Sequence, residues 1–239
     1  MKLSIIIPTH NEESNIGNMI KSIEQSVFNE YEIIVVDDHC SDKTADIVGR
    51  LALEYKNIRL VKNNHEAGFA NALKAGFSSI NAEVVVPVMA DLCDDLFTIE
   101  KMLNKIDQGY DLVCAARYMK GGKRLGGSRL KAFLSRWGGK SLHYLLGIPT
   151  HDIANSFKMY KKAVIDSINI ESRYFEVSME LVLKAYFLGF KITEVPTAWK
   201  ERTQGRSTFR VFKLLPSYLK LYFWAVLMKI RSFWCRYFR

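Results

Sequence analysis

Glu12, Asp37 and Asp38 are the residues of this chain whose type and placement most clearly point to chemistry. Each follows an apolar run that stops abruptly. One run is Ser4-Ile5-Ile6-Ile7-Pro8-Thr9-His10-Asn11-Glu12; the other is Ile33-Ile34-Val35-Val36-Asp37-Asp38-His39-Cys40-Ser41-Asp42. Carboxylates in such places suit ribose hydroxyls, base N–H groups or a metal ion, and they repel bare phosphate. A third run, Val85-Val86-Pro87-Val88-Met89-Ala90, ends in Asp91. Arg117 and Arg129 bracket a glycine-rich basic stretch, where fixed guanidinium forks fit phosphate oxygens better than lysine does. Glu176 and Glu180 stand four residues apart. On a helix they share one face and repel unless a partner is near, which favours a role for at least one of them.

The elements that must carry these residues follow from the pattern of apolar runs. Short β-branched runs ending in turn-forming residues read as buried strands of a parallel sheet. In an open α/β sheet ligands bind outside the carboxyl ends of the strands, so the acids fall on the binding edge. Strands are expected at 3–8, 32–37, 58–61, 84–89, 111–116, 156–160 and 191–198. Helices are expected at 12–28, 43–55, 68–80, 95–107, 130–146 and 176–188. This alternation gives βαβ units. Thr9 or Asn11 is the expected cap of the first helix, and Ser41 or Asp42 that of the second. Residues 118–130, rich in glycine and lysine, read as a mobile loop. A dinucleotide-binding domain would want G-x-G-x-x-G after the first strand; the turn here is Pro-Thr-His-Asn-Glu, and Gly17 comes too late.

The 239 residues fit one large α/β domain, 1–210, followed by a basic, aromatic segment, 211–239, and no linker divides them. An apolar fraction of 49% is ample for a core. Cys40, Cys93, Cys114 and Cys235 show no metal-type spacing and read as reduced thiols of a cytoplasmic protein. Residues 1–8 read as a strand and not as a secretory leader. The net charge of +9 is concentrated at 120–140 and 200–239. No nucleic-acid-binding motif accompanies it, which excludes nucleic acid and leaves phosphate or a membrane surface as partner. The uninterrupted apolar run Leu221–Met228 is far short of the ~20 residues a spanning helix needs. An amphipathic helix at the membrane interface is the expectation.

Taken together, the motifs resemble the family-2 glycosyltransferases of the GT-A fold, and the resemblance runs to about Phe209. Those inverting enzymes use nucleotide-sugars and open with Pro-Thr-aromatic-Asn-Glu, then Val-Val-Asp-Asp-x-Ser-x-Asp; His10 stands here at the aromatic position. The resemblance implies a mostly parallel sheet flanked by helices. It assigns Pro8, His10, Glu12, Val35, Asp37 and Asp38 to the nucleoside. It matches Ala90 and Asp91 to the family's Asp-Ala-Asp, which holds Mg²⁺ or Mn²⁺ against the diphosphate. Met89 replaces the first acid of that motif, and Cys93, two residues past Asp91, is a poor ligand for a hard cation. One or two carboxylates suffice for Mg²⁺ when substrate phosphates complete the shell. Arg117 matches Ser-Arg-Tyr…Gly-Gly, Arg129 a second arginine, and Arg202 the motif Asp-Arg-x-x-Gly-x-Ser-Lys. Asp152 and Glu176 match acids near the sugar or acceptor.

Dolichyl- and polyprenyl-phosphate mannosyltransferases are the members the chain resembles most. The expected activity is therefore transfer of a hexose, mannose among the candidates, to a polyprenyl phosphate. The expected setting is the cytoplasmic face of a membrane, by peripheral contact with the bilayer or with a membrane subunit. Asp91, Arg117, Arg129 and Arg202 would carry the catalysis. Two alternatives stay open. One is a family-2 enzyme acting on a sugar hydroxyl, with Asp152 or Glu176 as base. The other is a relic that binds nucleotide without turnover.

Overall fold

The computed structural model describes residues 3–27, 30–202 and 210–237, with side chains through Arg231. Its framework is the expected alternation. β1 (Leu3–Thr9), α1 (Ile16–Ser26), β2 (Tyr31–Asp37), α2 (Thr44–Glu54), β3 (Ile58–Lys62), α3 (Phe69–Phe77) and β4 (Val84–Pro87) form the first half. The second half comprises α4 (Thr98–Asp107), β5 (Leu112–Ala116), β6 (Lys123–Leu125), α5 (Arg129–Leu146), β7 (Lys158–Lys161), α6 (Lys162–Asp166), α7 (Val177–Phe187), β8 (Ile192–Pro196), β9 (Ala198–Lys200) and α8 (Val211–Tyr237).

Seven strands make one sheet in the order β3-β2-β1-β4-β7-β5-β8. All pairings are parallel except those of β7, which runs antiparallel between β4 and β5. Strand β1 is buried at every position, as the continuous apolar run requires. Cores lie on both faces. Ile5, Ile7 and Val35 pack with α1, α2 and α4 on one side, whereas Ile6, Val36 and Cys114 pack with α3, α5 and α7 on the other. Helix α3 rests on β1 through Gly76, where a Cβ would come within 2.6 Å of Ile6.

Several local expectations need correction. Helix α1 starts later than position 12, because residues 9–13 are engaged in crossing to the β2 loop. The Thr9 hydroxyl donates to Val36 O, Asn11 Oδ1 accepts the Ser41 N–H, and Glu12 N–H donates to Thr44 Oγ1. Neither Thr9 nor Asn11 therefore caps α1. At α2, Asp42 Oδ1 accepts the Thr44 N–H. The stretch read as a mobile loop contains β6, which pairs in parallel with β9. The single strand expected at 191–198 is two strands broken at Thr197, after Pro196, which has no N–H to donate to a ladder. Strand β9 also clasps the turn after β4: Lys200 N–H donates to Cys93 O, and Asp95 N–H to Ala198 O.

Helix α8 packs along α5 and α7. Leu214 and Ala225 are buried, Tyr222 stacks on Trp137, and Trp224 meets Phe187 edge-on. Lys229 Nζ donates to Leu146 O at the end of α5 and to Tyr186 Oη. Counting only the uninterrupted apolar run underrates this helix. Over Val211–Arg231 it is long and apolar enough to cross a membrane, with a mean hydropathy of 1.3.

Candidate active site

The strand ends bring the sequence-marked acids to one edge, but the acids differ in what they are free to do. Asp38 is buried, and its carboxylate accepts from Asn63 Nδ2 at 2.7 Å and from the Gly68 N–H at 2.9 Å. It thereby fixes the loop leading into α3. Asp37 accepts the Cys40 N–H and lines a shallow pocket with His39, Lys62, Asn63 and Asn64. His10 Nδ1 lies 2.7 Å from Asp38 O, which ties the β1 and β2 loops together. Pro8 lies opposite Val36 in the ladder, and Val35 points into the core.

Next to this pocket one guanidinium joins two strand ends. Arg202 Nη2 lies 3.0 Å from Asp91 Oδ2 and 3.2 Å from Glu12 Oε1. Burial pulls the Arg202 pKa down, but pairing with Asp91 and Glu12 outweighs this and raises it. Ala90 is buried in the turn, and Leu92 takes a left-handed φ of 59°. Cys93 Sγ points to the Asp91 carbonyl. Burial, reinforced by the Asp91 charge, pushes its thiol well above the ordinary range. The Asp94 carboxyl is raised to about 7, first by loss of water and then by the Asp91 charge. Residues 203–209, with the rest of the Arg202 motif, lie outside the described residues.

Arg117 is held as a fork. Its Nε donates to Asp152 Oδ2 at 2.7 Å and its Nη2 to Asp152 Oδ1 at 2.8 Å. The Arg117 backbone N–H donates to Asp152 as well, and Nη2 reaches Ser135 Oγ on α5 at 3.1 Å. Beneath it, the buried Lys158 Nζ donates to the carbonyls of Ile153 and Asn155. Burial lowers the Lys158 pKa to about 8.

Beyond Arg117 a cavity of about 430 Å³ opens between α5 and α8. Asp91, Asp94, Arg117 and Arg202 line one end, and Leu134, Leu142, Leu215 and Tyr222 are among the apolar residues of the rest. The three acceptor-side expectations lie outside it. Asp152 is fully buried against Arg117. Glu176 is buried at the start of α7, where it accepts the N–H groups of Arg173 and Tyr174. Arg129 is exposed at the first turn of α5, and Lys131 lines the cavity instead. Glu180 escapes repulsion from Glu176 by pairing with Lys184 at 2.7 Å. Sequence reasoning missed Ser128, Lys131 and Ser135. Their spacing of i, i+3 and i+7 on α5 marks one helix face and was the available signal.

The model of glycosyl transferase family 2 matches residues 4–168. A dolichol-phosphate mannosyltransferase of Pyrococcus furiosus is 28% identical over 94% of this chain, which spans 64% of that protein's length. A polyprenol monophosphomannose synthase of Mycolicibacterium smegmatis is 27% identical over 93% of this chain and 86% of its own. Among solved structures, the glucosyl-3-phosphoglycerate synthase of Mycobacterium tuberculosis in complex with Mn²⁺, uridine diphosphate and glucosyl-3-phosphoglycerate superposes with a TM-score of 0.71. It is 19% identical, over 95% of this chain and 79% of that one. TarS 1–349 of S. aureus in complex with UDP-GlcNAc gives 0.67 at 20% identity, over 95% of this chain and 67% of that one. Sheet order, strand-end acids and the family match agree: the chain belongs to glycosyl transferase family 2 and is a glycosyltransferase of the GT-A fold.

Proposed function

We propose that this enzyme moves a hexose from a nucleotide-sugar to a polyprenyl phosphate, with inversion, at a membrane surface. The observation that carries the reading is the two-ended cavity, with cations and acids beside the strand ends and apolar walls between α5 and α8. A lipid phosphate matches both ends. The names of the two curated relatives, a dolichol-phosphate mannosyltransferase and a polyprenol monophosphomannose synthase, support the same acceptor class.

In this reading an oxygen of the lipid phosphate bonds to the anomeric carbon as the bond to the donor's β-phosphate breaks. The leaving group is a nucleoside diphosphate. Arg117 and Arg202 face the charge that develops on the phosphates, and Asp152 keeps the Arg117 fork oriented. The acceptor is already anionic and needs no base. That agrees with Asp152 being filled by Arg117 and with Glu176 lying outside the cavity. Asp37, at the edge pocket, suits the nucleoside.

A divalent cation fits this site through Asp91, a hard oxygen donor, with waters and diphosphate oxygens completing the shell. Neither Met89 nor Cys93 adds such a donor. When bound, Mg²⁺ or Mn²⁺ supplies charge neutralisation for the leaving diphosphate.

Helix α8 is the proposed membrane contact. Its packing on the domain from Leu214 to Lys229 favours a helix lying along the bilayer surface. A second reading has one observation in its favour. Asp94, raised to about 7 and lining the cavity, could act as base for a sugar hydroxyl.

The test is transfer of radiolabelled sugar, from GDP-mannose and a set of UDP-sugars, to polyprenyl phosphate with Mg²⁺ or Mn²⁺. Label in the organic phase that disappears in Asp91→Ala is expected. Nucleotide binding without label from any donor would overturn the lipid-phosphate reading. Transfer to a free sugar, abolished by Asp94→Asn, would establish the second.

A further inference from the structure

A buried ammonium stands behind the floor of the cavity. Lys158 opens β7, the strand that runs antiparallel between β4 and β5 in the middle of the sheet, and its side chain is fully buried. Its Nζ donates to Ile153 O at 3.0 Å and to Asn155 O. Both carbonyls belong to the loop that leads into β7. At one end of that loop the Asp152 carboxylate takes the Arg117 fork. The residues that follow, Ile153, Ala154, Asn155 and Ser156, line the cavity. Asn155 Nδ2 fastens the loop to Ala115 O at 2.7 Å.

The surroundings are unfavourable for a cation. Asp152, the carboxylate whose charge reaches Lys158, is already paired with Arg117. Cys114, opposite Lys158 in the β5 ladder, offers no negative charge, because burial pushes its thiol up to about 12. On the other side β4 brings only valines and a proline. Asp152, Arg117 and Cys114 are thus the ionisable groups that act on the ammonium. A charge buried in such a place is costly, and an apolar side chain would spare that cost. What the ammonium supplies is a pair of charge-assisted hydrogen bonds to main-chain carbonyls. Bonds of that kind are about twice as strong as neutral ones, and two of them fix the course of the loop.

We propose that Lys158 is a positioning residue of the transfer reaction: its ammonium sets the course of loop 152–156 and, through Asp152, the direction of the Arg117 fork. The proposal rests on the reading above in which Arg117 faces the leaving diphosphate. Lys158 does not line the cavity and acts only through its neighbours. The route is short. It runs from Nζ to the carbonyls on either side of Ala154, along the loop to Asp152, and from Asp152 to Nε and Nη2 of Arg117. A misplacement of about 1 Å at the reacting atoms costs on the order of a hundredfold in rate, so a relaxed loop is felt there. Burial lowers the Lys158 pKa to about 8, and the hold therefore weakens as pH rises through that value.

Two readouts on the full chain test this. The first needs no substrate: water exchange of the Arg117 Nε–H, followed by NMR and assigned by its loss in Arg117→Lys. Lys158→Met should speed that exchange roughly tenfold near pH 7, the worth of one charged hydrogen bond. The ratio to wild type should shrink toward one above about pH 8, where wild-type Lys158 gives up its proton. The second readout is turnover in the transfer assay. Lys158→Met should lower kcat roughly ten- to a hundredfold, and this gap should close over the same pH interval. Lys158→Arg, a cation that keeps its proton, should stay near wild type at neutral pH and exceed it at alkaline pH; this arm stands even if the methionine variant does not fold. A lysine with only a structural role gives ratios that do not change with pH, and that result would overturn the proposal. Unchanged exchange in Lys158→Met, where Arg117→Lys lowers turnover, would sink the proposal and leave the Arg117 reading standing. Faster exchange with unchanged turnover would instead bring down the Arg117 reading, and the proposal with it.

Discussion

The Arg117–Asp152 pair shows how a residue's partner decides its role. Asp152 is 0% exposed and Arg117 11% exposed in their side chains. Three donors converge on one carboxylate, from Nε, from Nη2 and from the Arg117 backbone. Asp152→Asn removes the compensating charge and is expected to cost about 3–5 kcal/mol in urea denaturation, as broken buried pairs do. A loss under about 1 kcal/mol would show that the pair does not hold the fork. Asp94 makes a pH-dependent contribution whose sign follows from its raised pKa. In the unfolded chain its carboxyl titrates near 4; in the folded protein it titrates at about 7. The folded state therefore keeps a proton that the unfolded state releases between these values. The contribution is full below about pH 4, is lost as pH rises to about 7, and stays constant above that. Asp94→Asn should melt progressively higher than the wild type over that interval, and a gap independent of pH would refute the assignment. The positions of Asp91 and Arg117 just past strand ends were legible in the sequence, whereas Arg202 was marked only by the motif it resembles. The engagement of Asp152 was not legible, because it depends on a partner far away in the chain.

At the level of elements, periodicity was enough for the buried strands, since apolar β-branched runs such as 33–36 admit little else. It failed where pairing decides. Strand β6 is a Lys-Arg-Leu segment next to glycines, and only its pairing with β9 makes it a strand. Thr197 interrupts an apparently continuous run for the same kind of reason: its neighbours pair with different partners, β5 on one side and β6 on the other. Helix α8 presents an apolar face to its surroundings, with Phe223 60% and Leu227 58% exposed. Helix α5 adds exposed Phe133 and Trp137. The double variant Phe223→Glu/Leu227→Glu should abolish flotation with anionic liposomes while changing stability by no more than about 0.5 kcal/mol per site, as exposed substitutions usually do. Flotation equal to that of the wild type would rule out this face as the contact.

For the molecule as a whole, the order of strands and helices was readable, and with it the side of the sheet on which the strand-end acids gather. How the charges settle across that side was not. A net charge of +9 describes the chain, whereas the site is a set of local balances in which Arg202 already occupies Asp91 and Glu12. At the metal site proposed above, a divalent cation competes with that guanidinium until diphosphate oxygens offer both cations a better arrangement. Calorimetric titration of Mn²⁺ should therefore give little binding to the protein alone and clear binding once a nucleoside diphosphate is present. Tight binding to the protein alone would contradict this coupling.

The cavity opens between the two helices, α5 and α8, that also carry the outward-facing aromatic side chains. In the lipid-phosphate reading proposed above, a prenyl-chain reactant slides in sideways without ever leaving the lipid. The search for it is then two-dimensional, and the quantity that sets the rate is the number of acceptors per area of membrane. Adding inert lipid slows such a catalyst even when the amount of acceptor in the tube is unchanged.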